Sequence, residues 1–271
     1  MNRLGLDYLT LPGVAPDAFV RLAAEAGCGH VALMPALPEF MQTSGPSWSL
    51  IEDAALRGAT REALADTGVS LALLDGFALF PDSTRDDHRR VLDLAADLGT
   101  RRLNTVSFVD WPHTLDETAW MVGLAADYGM TVTVEPCALL TAATLAQALE
   151  LIAYVGQPNF KLLIDTMHVA RTGEAGDLAA LDPELIDYVQ ISDAPLAMPS
   201  REAYMDEALN ERMIPGTGEL PLVEMLRAVP DTVVVSAEVP LRSLAEAGVS
   251  DLERGRRIVA GINRVLAAAS R

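Results

Sequence analysis

The sequence predicts a single (β/α)8 barrel, a TIM-barrel domain spanning residues 1–271. Three observations carry that expectation. Eight short β-rich runs recur along the chain, Ala/Leu-rich helical stretches separate them, and 271 residues fit one such barrel without a second domain. The runs are Arg3–Leu6, His30–Met34, Ser70–Leu74, Arg102–Phe108, Thr131–Glu135, Phe160–Asp165, Asp187–Ser192 and Val233–Glu238. Apolar residues at helical spacing mark Pro16–Ala26, Thr84–Leu98, Leu115–Tyr128, Thr141–Val155 and Leu252–Ala268. Gly27, Gly68, Gly99, Gly129 and Gly156 follow near helix ends, as left-handed C-caps require, while Thr114 and Thr141 suit helix N-caps. An open dinucleotide-binding sheet would need a Gly-rich turn after the first strand. Asp7-Tyr8-Leu9-Thr10-Leu11-Pro12-Gly13 is not one.

Composition narrows the function classes. Half the residues are hydrophobic and mean hydropathy is +0.22, which excludes a disordered chain. The opening MNRLGLDYLTLPGV has no long apolar h-region and reads as a first strand, so a cytoplasmic location is the expectation. No apolar run approaches the roughly 20 residues that span a bilayer, so no membrane association is expected. The only cysteines, Cys28 and Cys137, make no disulfide framework. A formal net charge of −18 disfavours nucleic acid as partner, because phosphate neutralisation rests on Lys and Arg. Lys161, the single lysine, starts its strand and so lies on the stability face of a barrel, away from any Schiff-base chemistry. The expected partner is a small-molecule substrate; a homo-oligomer is left open.

Four successive late strands each end in an oxygen donor: Glu135, Asp165, Gln190 and Glu238. The period of two along a strand puts Val132 and Val134, or Val189 and Ile191, on the face that meets the helices. It turns Glu135, Gln190 and Glu238 into the barrel. Taken singly, each acid is most simply a strand cap or an Arg partner. Together, three carboxylates on one buried rim repel one another and lose hydration, and a cation at their centre removes that cost. Carboxylates with an amide carbonyl suit one hard divalent ion, Mn²⁺ or Mg²⁺.

The ordered series VEP at Glu135, LLIDTMH through His168, YVQISDAP through Pro195, PGTGEL at Pro215–Leu220 and AEVP at Glu238 resembles the sugar phosphate isomerase/epimerase family of xylose isomerase-like barrels. The second half of the chain carries the resemblance; the first half shares only the strand–helix rhythm. The resemblance implies metal ligands at Glu135, Asp165, Gln190 and Glu238, and a substrate-touching histidine at His168. Gln at the third ligand position departs from the tagatose epimerase-like members, which carry His. It agrees with hydroxypyruvate isomerase-like members and some 3-dehydroshikimate dehydratases.

The function expected is a metal-dependent isomerase or epimerase of a small hydroxy-carbonyl compound (a keto sugar, keto acid or cyclitol ketone). The alternative is a dehydratase of the 3-dehydroshikimate type on the same site. Glu135, Glu238 and His168 are the candidate acid–base groups. Arg212 is a candidate for binding an anionic oxygen, set against a surface salt bridge, the reading preferred for Arg201. Arg171 is expected to pair with Asp165 or a neighbouring acid. Pro35–Ser49 and Ala194–Thr217 follow strands, exceed ordinary βα loops and are candidate lids. Pro215–Glu219 reads as a helix-start turn, with phosphate binding the lesser reading. His88 reads as solvated, His30 as lying on the wrong face, and His113 as a helix-start residue or a lesser site candidate.

Overall fold

The computed structural model describes residues 2–38 and 47–270. Eight parallel strands close in sequence order into a barrel: β1 (Leu4–Asp7), β2 (His30–Leu33), β3 (Ser70–Leu74), β4 (Arg102–Thr105), β5 (Thr131–Val134), β6 (Phe160–Asp165), β7 (Ile186–Ile191) and β8 (Val234–Ala237). The expected fold is the observed one, and each strand falls within a residue or two of its expected place except β4, which stops three residues short.

The strand period sorts the side chains into two layers. Val132, Val134, Val189, Ile191, Val235 and Ala237 join the core between sheet and helices. Ala32, Leu73, Leu163, Tyr188 and Val234 form a separate small cluster inside the barrel. Burial of the outer layer dominates the energetics, at about 25 cal/mol per Å² of apolar surface. Two residues beyond Leu73, Leu163, Tyr188 and Val234 of that cluster stand Asp75, Asp165, Gln190 and Ser236, a polar layer above it. β1 and β8 approach closely at Gly5, where a Cβ would come within 2.5 Å of Ser236 Oγ.

The helices are α1 (Pro16–Ala26), α2 (Ala54–Thr67), α3 (Arg85–Leu98), α4 (Trp111–Asp127), α5 (Leu145–Val155), α6 (Thr166–Arg171), α7 (Arg201–Asn210), α8 (Leu222–Arg227), α9 (Arg242–Glu246) and α10 (Asp251–Ala269). α4 begins four residues before its expected start because Asp110, not Thr114, caps it and Pro112 fits its first turn. Thr144 rather than Thr141 caps α5, while Thr141 donates its hydroxyl to Val109 O. Lys161 donates to Glu184 O near the start of β6, on the face opposite the strand ends, as expected. His88 is a correction. It is 5% exposed, and its two ring nitrogens lie 2.9 and 3.2 Å from the Thr84 and Ala78 carbonyls.

The second expected lid and the described flanks of the first follow the C-terminal ends of their strands. Most of the first, 39–46, falls outside the described residues; its flanks pair as an antiparallel Ala36–Ser49 bridge. The second is not an irregular loop. It contains α7 and is pinned by the antiparallel bridges Asp193–Met213 and Glu211–Leu241. The turn Pro215–Glu219 wraps the buried Asp193 carboxylate. That group accepts from Ala194 N, Gly216 N, Gly218 N and Leu220 N at 2.9–3.2 Å, so these amides already have an anion.

Candidate functional site

The four expected donors meet at the strand-end rim. Asp165 pairs in register with Gln190, and Gln190 with Ser236, two residues before Glu238. Asp165 and Gln190 are fully buried, Glu238 is 6% exposed, and only Glu135 opens partly to the mouth. The readings weighed for Asp165 alone both occur. Its Oδ1 accepts from Met167 N and His168 N at the start of α6, and its Oδ2 accepts from Arg212 at 2.6 Å.

Arg212 is the centre of charge in the site. The antiparallel bridge between Asp193 and Met213 carries it inward, and it is 3% exposed. One guanidinium nitrogen holds Asp165 Oδ2; the other lies 2.8 Å from Glu238 Oε2. Nε donates to Ala208 O. The surface-salt-bridge reading of Arg212 is therefore corrected. Arg171, by contrast, does not reach Asp165: it holds Glu207 through two nitrogens at 2.6 and 2.9 Å and donates to Pro195 O. Arg201 is a surface residue donating to Leu139 O. His113 is exposed beside Asp110, and His30 sits at the start of β2 with Ser70, neither near the rim cluster.

His168 Nε2 lies 3.5 Å from Glu135 Oε1 and 4.0 Å from Asp165 Oδ2. Its Nδ1 is 2.5 Å from the Tyr204 hydroxyl, which α7 supplies. Burial lowers the His168 pKa to about 4, against the pull of Asp165, so the imidazole is neutral at neutral pH. With Tyr204 donating to Nδ1, the ring proton sits on Nε2 and faces the carboxylates.

Two acids that the sequence reading did not single out complete the cluster. Asp7 ends β1, and its Oδ1 accepts from Tyr188 OH at 2.9 Å and Ser236 Oγ at 2.6 Å. Asp75 follows β3, and its Oδ1 accepts from Gly76 N and Asn104 Nδ2; Asn104 also donates to Glu135 Oε2 at 3.0 Å. Leu-Ala-Leu-Leu-Asp75 has the same shape as Leu-Leu-Ile-Asp165, an available signal.

The strand-end layer thus holds five carboxyl groups, two of them, Asp165 and Glu238, paired with one buried guanidinium. Burial pushes Glu135 and Glu238 well above the carboxylate range; Asp165 repels both, and Arg212 offsets only part of this. Burial would raise Asp165 too, but Arg212 and then His168 outweigh it and hold it low. This surplus of negative charge fits a hard divalent ion. So does the donor set: Gln190 Oε1 is buried with no hydrogen-bond partner. Glu135, Asp165 and His168 also bring one ligand atom each within 4.8 Å of one another.

Asp7 gives a pH prediction. Burial, opposed by Ser236 and Tyr188, raises its pKa from 3.8 to about 7. A folded value above the unfolded one means stability fully present below about pH 4 and lost as pH rises through 7. In metal-free buffer the parent should lose stability relative to Asp7→Asn between pH 4 and 8, by on the order of 4 kcal/mol. Thermal melts across that range check it; a constant gap would refute the burial of an ionisable Asp7.

The comparisons with known proteins agree with this architecture. The chain is 28% identical over 196 residues to a 2-epi-5-epi-valiolone 7-phosphate 2-epimerase of Actinoplanes sp., covering 66% of this chain and 68% of that protein. Among solved structures, a xylose isomerase-like TIM barrel/4-hydroxyphenylpyruvate dioxygenase fusion protein superposes with TM-score 0.74 at 19% identity. The match covers 96% of this chain, which spans 41% of the fusion's length. A probable 3-DHS dehydratase, AsbF of Bacillus anthracis, superposes with TM-score 0.72 at 16% identity over 95% of this chain and 98% of that one. The family profile described as xylose isomerase-like TIM barrel matches residues 20–263, and the chain belongs to that family.

Proposed function

We propose that this chain is a metal-dependent isomerase or epimerase of a small hydroxy-carbonyl compound, acting by removal of a proton α to the carbonyl. The observation that carries the reading is the group of carboxylates on one rim, Glu135, Asp165 and Glu238, with the orphaned Gln190 carbonyl beside them and one guanidinium against them. Glu135, Asp165, Gln190 and Glu238 would hold the ion, Mn²⁺ or Mg²⁺. When bound, the ion would polarise adjacent carbonyl and hydroxyl oxygens and acidify the C–H between them.

The remaining work falls to the chain's own groups. Glu135 and Glu238 are carboxyl groups at the strand-end rim, the first open partly to the mouth, placed to take up a proton from carbon and return it. They stand on non-adjacent strands, which gives two directions of approach to one carbon. Neutral His168, its Nε2 proton held towards Glu135 by Tyr204, can donate to a substrate oxygen or relay the proton. Arg212 can turn from its carboxylate partners to an enediolate oxygen. The relative from Actinoplanes sp. bears the name of an epimerase of a phosphorylated valiolone, which supports a keto sugar or cyclitol ketone as substrate class.

The dehydratase reading shares the first step, and the dehydratase structure of similar fold keeps it in view. A cytoplasmic site of action remains part of the proposal; no described helix is long and apolar enough to cross a membrane. The test is incubation in D₂O with Mn²⁺ or Mg²⁺ and a panel of keto sugars, keto acids, cyclitol ketones and 3-dehydroshikimate. Deuterium at the α-carbon without change of composition is the expected result, and loss of water would select the dehydratase. Protein purified without chelator should hold about one divalent ion, with EDTA lowering activity and Tm together. Activity indifferent to EDTA in a metal-free protein would overturn the reading.

A further inference from the structure

Among the described residues, three buried side-chain atoms lack a hydrogen-bond partner: Asp7 Oδ2, Gln190 Oε1 and Arg254 Nε. The first two are acceptors in the same polar layer of the barrel. Gln190 pairs in register with Ser236, and Ser236 with Gly5, two residues before Asp7 on the same inward face. Ser236 donates to Asp7 Oδ1, as does Tyr188, which precedes Gln190 by two residues on its own inward face. The Gln190 amide also approaches Asp7 closely enough to lower its pKa. In the structure that amide donates Nε2–H to Glu238 Oε1 at 3.1 Å, which leaves both orphans unsatisfied.

A half-turn of the amide exchanges nitrogen for oxygen without changing its shape. Nε2 then gives Asp7 Oδ2 a donor, and Oε1 faces the carboxylates. That orientation sets two oxygens against each other at an ionised Glu238, and a cation among them relieves the repulsion.

We propose that Asp7 is a positioning residue for Gln190, accepting the amide Nε2–H when the amide turns its carbonyl oxygen into the carboxylate cluster to hold a divalent ion. This rests on the metal site proposed above. Gln190 is then a two-position side chain: it donates to Glu238 without the ion and to Asp7 with it. Asp7 acts through Gln190 and does not touch the substrate.

The test is Mn²⁺ affinity, read by calorimetry or by the free-ion paramagnetic signal, on the full chain without substrate. In Asp7→Asn, the Asn oxygen keeps the Tyr188 and Ser236 bonds, and its amide nitrogen donates to Gln190 Oε1. That fixes the carbonyl away from the cluster, so Mn²⁺ should bind about 10-fold more weakly or worse, the usual scale for an outer-shell partner of a ligand. Combining Asp7→Asn with Gln190→Glu exchanges donor and acceptor at constant charge and should restore most of the affinity, which general damage to the barrel would not allow. A protonated Asp7 that merely donates to Gln190 Oε1 would be mimicked by Asn. Parent-like Mn²⁺ affinity in Asp7→Asn therefore overturns the inference. If the parent itself binds no Mn²⁺, the metal reading fails and this one with it. A measurement needing no folded variant at position 7 is the Gln190 side-chain amide NMR signal of the parent during Mg²⁺ titration. It should shift as its donor changes partner, and an unmoved signal overturns the inference equally.

Discussion

Arg212→Ala should lower the unfolding free energy by about 3–5 kcal/mol in metal-free buffer at neutral pH, the usual cost of leaving buried charge without its partner. The guanidinium holds Asp165 and Glu238 at 2.6 and 2.8 Å, and it is the one cation touching a cluster of five carboxyl groups among the described residues. Some of the loss would be recovered as Glu135 and Glu238 take up protons, which their raised pKa values favour. Added Mn²⁺ should restore much of the remainder by supplying the missing charge, and metal content should not fall, because Asp165 Oδ2 is freed as a ligand atom. Urea unfolding with chelator and then with Mn²⁺ reads both effects. Stability equal to the parent's under chelator would mean that the guanidinium is not the internal counter-charge. On an established substrate kcat/KM should fall as well, since the same group is proposed to meet an anionic oxygen.

The second large effect is on turnover. Glu135→Gln and Glu238→Gln each keep an oxygen donor while removing a base, and each should lose about 10²-fold or more in kcat, within the range for acid–base groups. The fold should survive in both. Asn104 can still donate to the side-chain oxygen at position 135, and Arg212 retains Asp165 when position 238 is neutral. Metal analysis and circular dichroism separate a lost base from a lost site. Turnover near the parent's in both variants would refute a two-glutamate proton transfer, and loss in only one would assign the return of the proton to His168.

Much of this was legible in the sequence because a barrel is periodic. Alternation along β5, β7 and β8 is enough to turn Glu135, Gln190 and Glu238 inward, and closure of the sheet brings them to one rim. What escaped depends on chain folding back over distances that periodicity does not report. Arg212 meets Asp165 across 47 residues through an antiparallel bridge, and Tyr204 reaches His168 across 36. Asp7 escapes for a smaller reason: the expected first strand ends at Leu6, one residue before its inward-facing acid. His88 sits in a run of charges, Arg85 to Arg90, but on the inward stripe of α3 with Val91 and Leu92, where burial is set by the neighbouring carbonyls and not by composition.

The Asp193 cradle has a consequence for how such a barrel diversifies. Four backbone amides from two separated stretches, Ala194 and Gly216 to Leu220, converge on one carboxylate, and the bridge to Met213 ties the same point again. The segment between these pins is a cassette with fixed ends. Its length and composition can change over generations, or be exchanged at the bench, while the strands beneath keep their register. Position 204 would then vary as part of the cassette and Arg212 would stay with its anchored end, which separates substrate preference from the fixed charge of the floor.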